Sequence, residues 1–363
     1  MSKIIRLNVP ARAEGEAARR AALLCCFAFH RRSEADVFWL KENAELLNIL
    51  ECTGARPDPA ELAPLSHFYE TVEKRLIFFP QYYRFLLSLA LDLEELGLPG
   101  DTAERLCARV AAEGLAGAEL SDLQRAEARR LLARRGVAVP ADPGLDDRLH
   151  AFLGRPETFA LPNKKAAYEL THIVFYLSEY GRRDPGLAPE AIVSLENAGI
   201  LSYLEQNADL LAEICIALRF AGVLPSPIWE DWLTAELTGF SVFEGAQARP
   251  EPDEYHDYLM CAWADRLRGG VGFVKPASAG RMSFWRGAGG AGALRQMSEC
   301  LFQLDNARSD DWPAMAPRLR AALSAPAREV LSAAEASSPR FAEFFADFAR
   351  PESRTETRRG CGA

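Results

Sequence analysis

The sequence predicts an all-α fold, with antiparallel helical pairs in a globular bundle or α/α-toroid-like array. Three observations carry that prediction. Apolar residues recur at helical spacing through most of the chain, short breaks containing Gly or Pro separate the periodic stretches, and almost nothing alternates with the two-residue period of a strand.

In chain order, residues 34–53 place Val37, Leu40, Ala44, Leu47 and Leu50 at helical spacing, and Gly54 and Pro57 end that helix. A second helix is expected over 60–78. Pro80 separates it from a third, FLLSLALDLEELG (85–97), which Gly97 and Pro99 stop. Further helices are expected at 101–114, 118–135, 144–154, 163–181, 188–204, 207–221, 226–239, 253–268, 291–305, 313–335 and 338–349. Residues 3–9 (KIIRLNV) are a strand candidate, marginal by itself. No repeat of fixed period is visible, which disfavours a regular solenoid. The stretch GVAVPADPGLDD (136–147) reads as a hinge between an N-terminal helical half, 1–140, and a C-terminal half, 141–350, that holds the candidate site. The Gly- and Ala-rich residues 269–293 read as a long loop, and 351–363 as a disordered tail.

Composition narrows the class. The 363 residues are 49% hydrophobic and 26% charged, as in soluble globular proteins. A net charge of −9 argues against a nucleic-acid binder. No apolar run reaches the ~18–20 residues of a membrane span, and the first residues lack the apolar core of a signal peptide, so a cytoplasmic location and no membrane partner are expected. Eight cysteines occur without a CxxC pair, which points to reduced thiols and excludes a thiolate zinc ribbon.

The chemistry begins in YELTHIVFYLSEYG (168–181), an apolar helix carrying Glu169, His172 and Glu179. Tyr168, His172, Phe175 and Glu179 form one stripe at helical spacing. A carboxylate buried there needs a partner or a metal, because desolvating it alone is costly. Glu213 poses the same question within DLLAEICIAL (209–218), one turn after Asp209. His256 heads the helix in DEYHDYLMCAWA (253–264), with Asp253 three residues before it, as Glu169 stands before His172. Carboxylate-x-x-His puts both groups on one face, where the carboxylate either co-ligates a metal or orients the imidazole. The order Glu169-x-x-His172, Glu213, Asp253-x-x-His256 is that of carboxylate-bridged di-metal bundles, and Glu94 or Glu95 would complete the set. The competing account makes His172 a core histidine, leaves Glu169 and Glu179 in solvent, and pairs Glu213 with Arg219 or another arginine. His256 and Cys261 are poorly spaced for a zinc pair, and the GAGGAG run (287–292) lacks the Gly-Lys-Ser/Thr ending of a phosphate loop. The arginines of RAEARRLLARR (125–135) read as a solvated face near a helix C-terminus.

The stretches DVFWLKENAELLNILE (36–51), FFPQYYRFLLSL (78–89) and PNKKAAYELTHIVFYLSEYGRRDPGL (162–187) resemble a family of uncharacterised bacterial all-helical proteins, known as a domain of unknown function. The Thr-His-x-x-Phe-Tyr-Leu-x-Glu-Tyr-Gly stretch at 171–181 is also similar to a stretch in a more distant helical group, as are Asp209-Leu210-Leu211-x-Glu213 and Tyr255-His256. The resemblance implies an all-helical fold and no settled activity.

The resulting expectation is a metal-dependent enzyme acting on a small molecule. His172, Glu213, His256 and Glu169 would hold a divalent ion (iron, manganese or zinc), with Glu179 and Tyr176 as catalytic groups. The alternative is a non-enzymatic helical adaptor that binds a partner protein.

Overall fold

A computed structural model describes residues 15–138, 142–245, 253–278, 280–287, 290 and 292–350. The helices are α1 (Glu16–Phe29), α2 (Val37–Cys52), α3 (Pro59–Leu62), α4 (Ser66–Phe78), α5 (Tyr83–Glu95), α6 (Thr102–Ala112), α7 (Asp122–Ala133), α8 (Leu145–Leu153), α9 (Pro156–Phe159) and α10 (Lys164–Leu177). They continue with α11 (Pro189–Glu205), α12 (Ala208–Phe220), α13 (Pro227–Gly239), α14 (Tyr255–Arg268), α15 (Leu294–Leu304), α16 (Trp312–Ala322), α17 (Ala325–Ser337) and α18 (Phe341–Ala349). The all-helical globular fold expected from the periodicity is thus observed. No helix among the described residues is long and apolar enough to cross a membrane.

The helix at the centre is α12. Every residue from Ala208 to Leu218 is buried, and α10, α11, α13 and α14 pack around it. A helix buried on all sides cannot be amphipathic in the usual sense, so its two carboxylates, Asp209 and Glu213, must find partners inside the protein. Local chemistry sets where the helices begin. The side chains of Asn207, Asn163, Asp36 and Ser121 cap α12, α10, α2 and α7 by accepting from the N–H groups of Leu210, Ala166, Phe38 and Gln124. On α11, Gly199 lets the Trp229 ring of α13 approach closely; a Cβ there would lie 2.5 Å from the indole.

Several expectations are corrected. Residues 16–29, for which the periodicity predicts no helix, form α1 and bury Leu23, Leu24, Cys26 and Phe27. The expected helix over 60–78 is split by a 3₁₀ turn at Ala63–Leu65, and that over 313–335 breaks between α16 and α17 at Leu323 and Ser324. The 269–293 loop contains a strand, β2 (Met282–Trp285), which pairs antiparallel with β1 (Ser241–Glu244), Ser241 opposite Trp285. These strands escaped notice because each has only four residues. The strand candidate at 3–9 and the tail 351–363 lie outside the described residues.

The small sheet has a positioning role. Buried Arg31, at the end of α1, donates to Met282 O of β2 at 3.1 Å and pairs with Glu42 Oε2 of α2 at 2.6 Å and with Asp253 Oδ2 at 2.8 Å. Asp253 also accepts from Phe284 N at 3.1 Å, and the Arg31 guanidinium stacks on Tyr255. One cation therefore ties α2 to the start of α14, one turn from Glu45 on the first and beside His256 on the second.

Candidate metal centre

The carboxylates and imidazoles converge where α2, α10, α12 and α14 meet. Asp209 and Glu213 are one turn apart on α12 and face the same way. His256 reaches them from the first turn of α14, with Nε2 3.2 Å from Asp209 Oδ1 and 4.0 Å from Glu213 Oε1. One donor atom from each of the three lies within 4.8 Å of the others. His172 of α10 stands just outside that trio, its Nε2 3.8 Å from Glu213 Oε1.

The two carboxylates are each held by a hydrogen bond to their other oxygen, and the imidazole faces a third carboxylate. Tyr168 Oη donates to Asp209 Oδ2 at 2.5 Å, and Thr171 Oγ1 donates to Glu213 Oε2 at 2.6 Å. Glu45 Oε2 of α2 lies 3.3 Å from His256 Nδ1. What remains is Oδ1, Oε1 and Nε2, the three atoms that face one another. Asp209 Oδ1, His256 Nδ1 and Glu45 Oε2 are all buried without a hydrogen-bond partner among the described residues, so Glu45 meets the ring at ion-pair distance only. Donors about 2.0–2.2 Å from one ion would sit roughly 3–4 Å apart; the 3.2 and 4.0 Å separations at His256 Nε2 lie in that range, and an ion would draw the trio inside its present 4.8 Å limit. Outer carboxylates and hydroxyls that fix a ligand's orientation are the expected surroundings of a metal.

The electrostatics agree. Three carboxylates, Glu45, Asp209 and Glu213, face His256, with Lys41 Nζ 3.6 Å from Glu45 Oε1. Burial and the neighbouring charge of Asp209 push the Glu213 carboxyl well above its ordinary value. Burial pulls His256 down, but the adjacent Glu45 carboxylate and the charges of Asp209 and Glu213 outweigh it and raise the ring to about 9. His172 is pushed below its ordinary value by burial, so its ring is neutral at pH 7. Burial and the charge of Asp209 raise Asp257, the next residue on α14, to about 6. The cluster retains protons on Glu213 and His256, and a divalent ion bound there would displace them.

The trio lies in the wall of a cavity of about 620 Å³, whose opposite side includes Arg84 and Phe85 of α5 and Gln124 and Glu127 of α7. Tyr168, Phe175, Tyr176, Tyr180 and Trp263 give it an aromatic lining, and Tyr176 lies nearly parallel to the His172 ring. Trp263 Nε1 is buried without a hydrogen-bond partner among the described residues.

The sequence-predicted residues divide as follows. His172, Glu213 and His256 come together. Glu169 is half-buried and does not line this cavity. Glu179 lies beyond the end of α10, where the chain turns with positive φ at Glu179, Tyr180 and Gly181. It pairs with Arg183 at 3.3 Å and lines a neighbouring cavity; Tyr176 belongs to both. Asp253 is engaged by Arg31 and β2, and Arg219 pairs with Glu230, not with Glu213. Glu94 accepts from Tyr69 and Ala103 N, and both Glu94 and Glu95 pair with Arg135, away from the trio. Sequence reasoning missed Asp209 as a donor and Glu45 as the carboxylate from an earlier helix. The signals for Asp209 are its place four residues before Glu213 and the resemblance of Asp209-Leu210-Leu211-x-Glu213 to a stretch in the distant helical group; nothing marks Glu45 within its helix.

Fold and site together define a helical protein with an interior carboxylate–histidine cluster set beside an aromatic cavity. The chain belongs to a family described as a domain of unknown function (DUF6902), whose model matches residues 1–351. No curated protein and no solved structure matched it.

Proposed function

We propose that the protein is a metal-dependent enzyme acting on a small molecule in the 620 Å³ cavity. The observation that carries this reading is the division of labour within the trio. Tyr168 and Thr171 each occupy one oxygen of Asp209 and Glu213, Glu45 stands at ion-pair distance from Nδ1 of His256, and a remaining donor atom of each of the three lies near the other two. Two carboxylates and one imidazole suit iron(II), manganese or zinc. A bound ion supplies Lewis-acid activation of a substrate oxygen or of water. Around it, neutral His172 is the proton acceptor, with Nε2 near Glu213 and Tyr176 stacked alongside. Burial keeps the Tyr176 phenol protonated, so it acts as a hydrogen-bond donor to substrate.

The test is the metal content of full-length protein purified without chelator or nickel resin. About one equivalent of iron, manganese or zinc is expected, lost in Asp209→Asn and in His256→Gln. Folded wild-type protein that neither carries nor takes up any of these ions would sink the proposal. A second reading, a helical adaptor, is favoured by the exposed run Ile77, Phe78 and Phe79 at the end of α4, exposed by 56%, 75% and 43%. It predicts metal-free protein whose stability is unaffected by adding these ions.

A further inference from the structure

A second cavity, of about 260 Å³, lies on the other side of Tyr176, between α7, α8 and the end of α10. Most charged groups there are already matched. Arg129 bonds to Asp146, and Arg183 pairs with Glu179. Farther along the same arginine-rich segment, Arg125 pairs with Asp142 at 3.0 Å, Arg134 with Asp92 at 2.7 Å, and Arg135 with Glu94 at 2.9 Å. Half-buried Glu51 pairs with Arg182 and lies 3.8 Å from Arg134, its Oε2 without a hydrogen-bond partner among the described residues. Arg130 is different. It is 6% exposed, it lines the cavity, and its Nε and Nη2 have no hydrogen-bond partner among the described residues. Its guanidinium carbon lies 4.3 Å from the centre of the Tyr180 ring.

We propose that this cavity is an oxyanion site, in which Arg130 binds the carboxylate or phosphate of a small molecule. A buried guanidinium cannot shed its proton, so an unmatched one calls for an anion. Its planar fork of N–H donors matches the paired oxygens of a carboxylate or phosphate. The Tyr180 ring packs against the guanidinium and holds it in place, with Nε and Nη2 buried. Two pairs, Arg129–Asp146 and Arg183–Glu179, cancel in the wall, and Arg130, whose charge also acts on buried Asp92, is the remaining charged group that lines it. The site shares only Tyr176 with the candidate metal cavity, so it stands whether or not the metal reading holds.

The test titrates inorganic phosphate, and separately acetate, into the full-length protein in chloride buffer at constant ionic strength, followed by calorimetry and by thermal unfolding. Saturable binding with a rise in Tm is expected from at least one of the two. Arg130→Met should weaken it by about tenfold or more, and Arg130→Lys, which keeps the charge but not the fork, should also weaken it. The surface variant Arg295→Gln should bind as wild type does. Either result from the wild-type protein alone overturns the proposal: no saturable response to either anion, or binding that vanishes when bound metal is stripped. Affinity unchanged in a folded Arg130→Met or Arg130→Lys variant overturns it as well.

Discussion

Glu45 Oε2 lies 3.3 Å from Nδ1 of His256, joining α2 to α14 and leaving Nε2 of that ring directed at Asp209 and Glu213. An outer carboxylate placed this way would orient the imidazole if His256 binds a metal as proposed. Glu45→Gln should therefore lower metal affinity by about 10–100-fold with little change in the folded structure. Competition of the variant and wild type against a chromogenic chelator measures this, and equal affinities would remove Glu45 from the centre.

Tyr168 and Thr171 do for the carboxylates what Glu45 does for the imidazole. Tyr168→Phe and Thr171→Val each free an oxygen that was held, so each should weaken metal binding by about tenfold. Thr171→Val also strips the buried Glu213 of its hydrogen bond and should cost about 1–3 kcal/mol in denaturant unfolding of the metal-free protein.

In metal-free protein the His256 ring is raised from 6.5 to about 9. A group whose folded value is raised stabilises the fold fully below its unfolded value and loses that contribution as pH rises through the folded value. Tm of metal-stripped protein should thus fall between about pH 6.5 and 9, and the slope in that window should flatten in His256→Gln. A wild-type profile parallel to that of the variant would contradict the Glu45–His256–Asp209 arrangement.

Arg31 and Glu42 are almost completely buried and join α1 to α2. Glu42→Gln leaves Arg31 with Asp253 as its remaining carboxylate and should destabilise the protein by about 3 kcal/mol. Because the same cluster orients Glu45 toward His256, metal affinity should fall too, which a remote destabilising change would not cause. Gly199→Ala supplies that comparison. Its new methyl group meets the buried Trp229 ring, so it should cost about 1–3 kcal/mol by denaturant unfolding while leaving metal affinity unchanged.

Helix content was legible in the sequence because helical periodicity is local: an apolar residue every three or four positions needs a buried face wherever that face ends up. The same local reasoning singled out Glu213, His172 and His256, since a charged or polar group in an apolar helix needs a partner. It extended the His172 stripe to Glu179, but α10 ends at Leu177 and left-handed backbone at Glu179 and Tyr180 carries that carboxylate into the neighbouring cavity. The choice of carboxylates was beyond local reasoning altogether. Glu169 and Asp253 sit three residues before a histidine, yet Asp209 and Glu45, distant in the chain, stand at His256. Spacing along one helix says which residues share a face. Which face meets which is decided by packing between helices, here by α12 buried among its neighbours and by Arg31 holding α2 against the start of α14.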